Sequence, residues 1–315
     1  MQSDISLRCL QSLDHHNGSG LATHGLRNRA LVGLGLSSAI GYLAWRRGSL
    51  SESGALGAIL TGTFTTSAGS YTHAAMLVGF FAGSTVLPKL VRPHDSDRFD
   101  AIAAKGGRRD LWQVLANGGV ATVLVIAPKS SAMDLGYLAA LAAVNGDTWA
   151  TEIGKTSQVP PRHVLTGKQL EPGISGGISL RGTLGSIAGG AFVGAIAAAG
   201  RSFEPRFTAK PSTLLLTGAI AGGLGSLVDS ILGATIQERR WCPQCQMVTE
   251  RLEHTCGTAT RIVGGVPGVS NDVVNLGCSL AGAAIGMLIG RYLSDESRLP
   301  AVEYWRPFQR YPPPA

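Results

Sequence analysis

Residues 135–154 read Leu-Gly-Tyr-Leu-Ala-Ala-Leu-Ala-Ala-Val-Asn-Gly-Asp-Thr-Trp-Ala-Thr-Glu-Ile-Gly, and this stretch decides the fold. Its first half is apolar or small, which predicts a helix in lipid over residues 133–150. A dense group of polar side chains follows, with Asp147 at or just inside the helix end and Glu152 beyond it. A carboxylate in a membrane helix is costly without a partner, so Asp147 indicates a functional site.

The composition is that of a polytopic helical membrane protein. Of the 315 residues, 15% are charged, 44% are hydrophobic and 43 are glycine. Glycine usage is about 7% in an average protein, and glycine is enriched where membrane helices pack closely. Such packing is predicted at glycines four residues apart: Gly185/Gly189, Gly190/Gly194, Gly218/Gly222 and Gly282/Gly286/Gly290. The net charge of +7 indicates charged loops that attract anionic headgroups rather than nucleic acid, because no nucleic-acid-binding motif is present.

The apolar runs predict an all-α polytopic integral membrane protein with about eight transmembrane helices, and six to nine fit the pattern. Residues 1–28 are expected to form a mobile N-terminal tail, and residues 294–315 form a C-terminal tail. Residues 29–293 form a single helical membrane domain that contains a Cys/His loop at 237–270. Pro88 is expected to kink or end the third helix.

Alternation of the loops defines two sides of the membrane. Side A receives residues 46–52, 88–110, 151–181 and 237–270, and side B receives both termini and the turns near 70, 129 and 200–211. Side A carries more than half of the 27 Lys and Arg residues, so the positive-inside rule predicts that it is cytosolic. The expected location is the endoplasmic reticulum or another endomembrane.

Polar residues from distant parts of the sequence also fall on side A, which predicts a single site. They are Lys105, Arg108, Arg109, Asp110, Asp147, Glu152, Ser175, Asp229, Asn271 and Asp272. Several carboxylates cannot share a low-dielectric site unless cations join them, and an oxygen-rich cluster suits Mg²⁺. Asp147 and Asp229 are the predicted Mg²⁺ ligands. Asp147, Glu152, Asp229 and Asp272 are expected to hold Mg²⁺ or position an acceptor.

Basic and glycine-rich segments on the same side suit phosphate groups. Lys105, Arg108 and Arg109 are expected to grip a nucleoside triphosphate. The segment Ser175-Gly176-Gly177 is expected to cradle it beside a helix N-terminus. Asn117 lies on the same predicted helix face as Asp110 and Gln113. Together these parts predict phosphoryl transfer at a membrane surface.

Each of these segments also has a structural interpretation. The glycine-rich segment matches neither common nucleotide-binding pattern and fits helix packing equally well. Residues 105–110 could form an ordinary basic loop at the headgroups. Asp229 could be a buried partner for a cation.

The cysteines form a separate group. Cys242, Cys245, His254 and Cys256 have the spacing C-x2-C-x8-H-x-C, which fits a structural Zn²⁺ site. Reduced thiols, or a disulfide in an oxidising compartment, are the alternatives.

Four blocks of sequence resemble the transmembrane protein 19 family, which includes the plant and cyanobacterial phytyl-phosphate kinases. They are residues 105–119, Asn145-Gly-Asp-Thr-Trp-Ala-Thr-Glu-Ile-Gly154, Gly173–Gly185 and Gly225–Ala234, and the resemblance extends over residues 30–293. It implies an integral membrane protein that, in some members, converts a prenyl monophosphate to the diphosphate with a nucleoside triphosphate such as CTP.

Two other classes of function remain open. A transporter or lipid carrier would place its carboxylates near the bilayer midplane, accessible alternately from both sides. A membrane protein without catalytic activity would scatter its polar residues. A kinase would collect them on one side beside the basic loop.

Overall fold

The computed structural model describes residues 27–91, 101–102, 107–203 and 207–296. The predicted N-terminal tail therefore lies almost entirely outside the described residues, as does Lys105. Eight helices of at least 16 residues lie within the described part: α1 (27–46), α2 (Glu52–Ala68), α3 (Tyr71–Leu90), α4 (Leu111–Ile126), α5 (Ser131–Gly154), α6 (Leu180–Gly200), α7 (Pro211–Thr235) and α8 (Asn271–Glu296). The helices α3, α6, α7 and α8 are long and apolar enough to cross a membrane. The prediction of an all-α polytopic membrane protein is confirmed.

Two small antiparallel sheets accompany the helices, and the sequence pattern did not predict them. The strands β1 (Arg162–His163) and β2 (Gly177–Ile178) pair with each other. The strands β3 (Arg239–Cys242), β4 (Met247–Thr249) and β5 (Arg261–Gly264) form a sheet in the order β4-β3-β5. This second sheet lies in the predicted Cys/His loop, residues 237–270, which is called the cap segment below.

The helix α5 is the centre of the bundle. Every residue from Leu135 to Gly146 is buried, and α5 packs against α3, α4, α6, α7 and α8. A helix that is apolar on all sides is buried in a protein core or in a membrane. Residues 135–146 are therefore the core around which the other helices assemble.

Small residues allow these helices to approach closely, as the glycine spacing predicted. A Cβ added at Gly190 of α6 would lie 2.1 Å from the carbonyl oxygen of Gly218 in α7. A Cβ at Gly286 of α8 would lie 2.1 Å from the carbonyl oxygen of Leu135 in α5. Contacts this short leave no room for any larger side chain, so the glycines set the interhelical distance.

The end of α5 differs from the prediction, whereas α3 ends close to Pro88 as expected. The helix α5 continues through residues 145–152, called the polar motif below, and ends at Gly154. The backbone N–H of Lys155 closes the last turn. Asp147 therefore lies about two turns inside the helix. Pro88 lies within α3, which ends two residues later at Leu90. The Thr148 hydroxyl donates a 2.9 Å hydrogen bond to the carbonyl of Val144. This polar side chain therefore has a hydrogen-bond partner within α5 and does not interrupt the helix.

A buried polar cluster joins α3 to α5 near the side-B end. Nε2 of His73 lies 3.3 Å from Oδ1 of Asp134, and the Tyr137 hydroxyl donates a 2.8 Å hydrogen bond to the His73 carbonyl. Ser70 lies 2.9 Å from the other ring nitrogen of His73. All four side chains are buried, so the cluster has a structural role in fixing the two helices.

Candidate functional site

One large cavity, of about 1240 Å³, is lined by polar residues from all eight helices. Its helical lining extends from the side-A ends of the helices to the middle of the bundle: the first turns of α4, α6 and α8, the last turns of α5 and the middle parts of α1, α2, α3 and α7. Its polar lining side chains include Arg109, Gln113, Asn117, Asp147, Thr148, Thr151, Glu152, Lys155, Ser175, Ser226, Asp229, Glu250, Asn271, Asp272 and Asn275. The structure therefore brings the predicted carboxylates together on one side.

The polar motif of α5 divides between two faces of the helix. Asp147, Thr148, Thr151 and Glu152 line the cavity. Thr151 and Glu152 follow Asp147 and Thr148 by four residues, and residues three or four apart lie close together on a helix. The other motif residues pack α5 against α6: the Asn145 amide donates a 2.7 Å hydrogen bond to the Gly189 carbonyl, and the ring of Trp149 stacks on Phe192 at 5.4 Å.

The carboxylates of Asp147 and Asp229 occupy neighbouring helices and interact electrostatically. Ser226, one turn before Asp229 on α7, donates a 3.1 Å hydrogen bond to Oδ1 of Asp147. The hydroxyl was not predicted as part of the site, although its spacing from Asp229 places both on one helix face. The two acidic residues therefore form one group rather than two separate features.

Glu250 is a further carboxylate of the cavity that sequence reasoning missed. It follows β4 in the cap segment, and its Oε1 accepts hydrogen bonds from Ser175 at 2.7 Å and from Gln237 at 2.6 Å. It also interacts electrostatically with Asp229. No sequence spacing relates residue 250 to residue 175, because the folding of the cap segment over the helices creates this contact.

Two cationic side chains line the cavity within the described residues. Arg109 donates hydrogen bonds to the hydroxyl and the carbonyl of Ser84 at 3.1 and 2.7 Å. Burial lowers the pKa of Arg109, and the charge of Glu152 partly offsets this. Lys155, which was not predicted, lies 2.8 Å from Oε1 of Glu152, three residues earlier. Both cations therefore interact electrostatically with the carboxylate of Glu152.

Two of the predicted side-A residues do not belong to the cavity. Arg108 is exposed and lies beside Gly48, whereas the neighbouring Arg109 points inward, because successive side chains of an extended segment point in opposite directions. Asp110 is the N-cap of α4 and forms a capping box with Gln113.

Asn117, by contrast, lines the cavity, and its side-chain amide donates a 2.7 Å hydrogen bond to the carbonyl of Gln113.

The glycine-rich segment lines the cavity as a loop and a short strand, not as a helix N-terminus. Ser175, Gly176 and Gly177 all contribute to the wall, whereas α6 begins after Ser179, whose hydroxyl accepts from the Gly182 amide. Gly176 has φ +86°, and a Cβ there would lie 2.6 Å from that of Ala234. The segment therefore packs against α7 and also faces the cavity.

The cavity continues from its polar part into an apolar part between the helices. Side chains from five helices line this part: Ile40, Leu77, Val78, Phe80, Phe81, Val114, Ile187, Ile220 and Leu224. A compartment that is acidic at one end and apolar at the other suits an amphipathic ligand whose charged group binds beside the carboxylates.

The cavity has more negative than positive charge. Asp147, Glu152, Asp229, Glu250 and Asp272 face Arg109 and Lys155 among the described lining residues. Two like charges about 4 Å apart repel by about 4 kcal/mol even at an effective dielectric constant of 20. A bound divalent cation would remove this repulsion, and carboxylate oxygens are the ligands that Mg²⁺ prefers.

The cap segment contains the predicted cysteine and histidine cluster. The ligand atoms of Cys242, Cys245, His254 and Cys256 all lie within 4.8 Å of one another. The hydrogen bond with Thr258, followed by the bond with His254, lowers the pKa of the Cys256 thiol to about 6. The four residues are separate from the acidic cavity and do not line it.

The fold and this site define a polytopic integral membrane protein with an acidic cavity on one side. Residues 35–283 match the family described as integral membrane protein DUF92. The chain belongs to this family, which is that of transmembrane protein 19, so the resemblance is confirmed.

Two relatives illustrate the similarity. Protein PGR of Arabidopsis thaliana is 32% identical over 268 residues, which are 78% of this chain and 91% of the relative. An uncharacterized membrane protein of Methanocaldococcus jannaschii is 27% identical over 223 residues, 70% of this chain and 84% of the relative. No solved structure matches the chain.

Proposed function

We propose that this protein is a lipid kinase that transfers a phosphoryl group from a nucleoside triphosphate to a prenyl monophosphate or a related polyprenol lipid. The observation that carries the proposal is the continuity of one cavity from the carboxylates of Asp147 and Asp229 to an apolar space between helices. A prenyl phosphate has the same two parts, a charged head and a long apolar tail.

In this reaction an oxygen of the prenyl monophosphate attacks the γ-phosphorus of the triphosphate. The bond between that phosphorus and the bridging oxygen breaks, and the nucleoside diphosphate leaves with the electron pair. Because the acceptor is already an anion, the enzyme's main contribution is to position the two phosphates and to neutralise their charge.

The acidic residues support this proposal through a divalent cation. Asp147 and Asp229 would hold Mg²⁺, with Glu152, Glu250 and Asp272 in the surrounding wall. When bound, Mg²⁺ would neutralise phosphate oxygens and stabilise the charge that develops in the transition state. Ser226 would keep the Asp147 carboxylate oriented through the bond between them.

The cationic and small residues would bind the triphosphate. Arg109 and Lys155 both reach the cavity, and each could exchange its bond within the protein for one to a phosphate oxygen. Ser175–Gly177 offers a backbone that ligand atoms can approach closely. Asn117 would add an amide contact. We propose CTP as the nucleotide, in line with the activity that the family resemblance implies.

The one-sided position of the carboxylates favours a kinase over a carrier. A carrier needs carboxylates that become accessible from both sides of the bilayer in turn. Here the carboxylates of Asp147, Glu152, Asp229 and Asp272 lie in the side-A parts of α5, α7 and α8. The buried pair of His73 and Asp134 joins α3 to α5 near side B and does not line the cavity. We further propose that side A is cytosolic in the endoplasmic reticulum or a related endomembrane, where nucleotide is available.

The direct test is a transfer assay with the purified full-length protein in detergent. CTP labelled at the γ-phosphate is supplied with Mg²⁺ and either phytyl or geranylgeranyl phosphate, and labelled lipid diphosphate is separated by chromatography. We expect a product that requires Mg²⁺ and is reduced at least 100-fold by Asp229→Asn.

The matched control is Glu52→Gln, because Glu52 is an exposed acidic residue on side A outside the cavity lining. This variant should retain activity within about twofold of the wild type, as surface substitutions usually have small effects. Absence of product with several prenyl phosphates, polyprenols and nucleotides would refute the proposal, as would full activity of Asp229→Asn.

A further inference from the structure

We propose that Cys242, Cys245, His254 and Cys256 bind one Zn²⁺, and that this ion holds the cap segment in the conformation that places Glu250 in the cavity wall. This inference concerns a metal site distinct from the proposed Mg²⁺ site. It does not depend on the kinase proposal.

The four residues lie on two tight turns that face each other. Cys242 ends β3 and Cys245 lies in the turn that leads to β4, where Gln246 has φ +52°. His254 and Cys256 lie in the second turn, which the Gly257 amide closes by a 2.9 Å hydrogen bond to the His254 carbonyl. Each turn supplies two ligands, as in many structural zinc sites.

The distances suit a tetrahedral ion. Sγ of Cys242 lies 3.6 Å from Sγ of Cys256, and Nδ1 of His254 lies 3.2 Å from the same Cys256 sulfur. Zn–S bonds of about 2.3 Å in a tetrahedron place neighbouring ligand atoms about 3.8 Å apart. A disulfide would require a sulfur–sulfur distance of about 2.05 Å, so the cysteines are in the reduced form that binds metal.

A backbone contact supports thiolate chemistry at the first turn. The amide of Cys245 donates to Sγ of Cys242 at 3.4 Å, and N–H groups directed at a sulfur stabilise its negative charge. Binding of Zn²⁺ would release the remaining thiol protons to solvent. No change of oxidation state is involved, because Zn²⁺ has no redox chemistry.

The sheet of the cap segment is small. Its strands are three or four residues long, and an isolated sheet of this size is marginally stable in water. The zinc cluster would join the β3–β4 turn to the segment between β4 and β5, and so add a cross-link between two parts of the sheet that are distant along the backbone. A structural zinc ion is sufficient to fold small units of this kind.

The sheet in turn determines the position of Glu250. In the pairing of β3 with β4, Thr249 lies opposite Arg240. The next residue, Glu250, accepts the hydrogen bonds from Ser175 and Gln237. Its backbone amide also donates a 2.8 Å hydrogen bond to the carbonyl of Ile102. A disordered cap segment would remove all three contacts and leave the cavity wall incomplete near Ser175.

The first measurement is the metal content of the full-length protein purified without chelators, by inductively coupled plasma mass spectrometry. We expect about one Zn²⁺ per chain, reduced at least fivefold in Cys245→Ser and Cys256→Ser. Cys278→Ala is the matched control, because Cys278 is a buried cysteine of α8 outside the cluster, and it should retain the full zinc content. Less than about 0.1 Zn²⁺ per chain in the wild type would overturn the proposal.

The second measurement uses the wild type alone and does not require any variant to fold. Cys245 and Cys256 are exposed, so they should react with iodoacetamide unless a metal binds them. We expect slow alkylation of both, accelerated at least tenfold after zinc removal by a chelator. Equal alkylation rates with and without the chelator would contradict zinc binding.

Hydrogen exchange tests the connection to the cavity. Zinc removal should increase amide exchange in residues 239–264 and also in residues 173–178, which contact Glu250 through Ser175. The side-B half of α3 should be unaffected. An increase confined to the cap segment would show that the ion does not act on the cavity wall.

Discussion

The Ser226 hydroxyl of α7 donates a 3.1 Å hydrogen bond to the Asp147 carboxylate of α5. This bond joins the two helices that supply the central acidic pair of the cavity. It also occupies one oxygen of Asp147 and leaves the second available to a ligand, which is the arrangement expected of an oriented metal-binding carboxylate.

Substitution of Ser226 by alanine should weaken the cation site without removing a carboxylate. We expect a three- to tenfold higher Mg²⁺ requirement in the transfer assay, because a bond of this kind contributes about 1 kcal/mol. Thr235→Ala is the matched control, since that exposed hydroxyl bonds only to carbonyls of its own helix. An Mg²⁺ requirement that is equal in the two variants would contradict the role of Ser226.

The glycines at helix contacts should determine stability. Gly190→Leu would place a side chain where even a Cβ lies 2.1 Å from the Gly218 carbonyl oxygen. We expect a loss of about 1–3 kcal/mol or more from overpacking, measured as a lower thermal midpoint in detergent. Gly35→Ala is the control, because nothing lies within 4 Å of a Cβ added there. Its midpoint should be unchanged or slightly higher.

The side-B cluster should stabilise the fold without taking part in the reaction. Removal of His73 by substitution with alanine leaves the buried Asp134 carboxylate without its 3.3 Å partner, which costs about 3–5 kcal/mol in a typical protein. We expect a lower thermal midpoint, whereas the fraction of the protein that remains folded should keep the wild-type Mg²⁺ requirement. A changed Mg²⁺ requirement with unchanged stability would contradict this structural role.

Much of the site could be predicted from the sequence, because successive helices run in opposite directions and this determines the side of the membrane on which each helix end lies. Asp147 and Asp229 come near the ends of α5 and α7, and Asp272 begins α8, so alternation of the helices puts them together. The glycine spacing predicted the close contacts of α6 and α8 for the same reason: a helix places residues four apart on one face.

Other parts of the site could not be predicted because they depend on tertiary contacts. Glu250 reaches the cavity only through the register of a sheet that has no clear periodic signal. From the sequence, Arg108 and Arg109 were equally good candidates for the site. In the structure the backbone is extended at Arg109, which pairs with Leu50, so the two side chains point in opposite directions. The length of α5 was underestimated because its polar motif resembles a helix end, whereas the cavity accommodates these polar groups along the last two turns.

The most direct test of the central claim is the binding of Mn²⁺, as a paramagnetic substitute for Mg²⁺, to the purified protein in the presence of CTP. Electron paramagnetic resonance measures the free ion during titration. We predict saturable binding that Asp147→Asn and Asp229→Asn each weaken at least tenfold, with Glu52→Gln equal to the wild type. Equal Mn²⁺ affinity in all four proteins would contradict the claim that the carboxylates of α5 and α7 form one cation site.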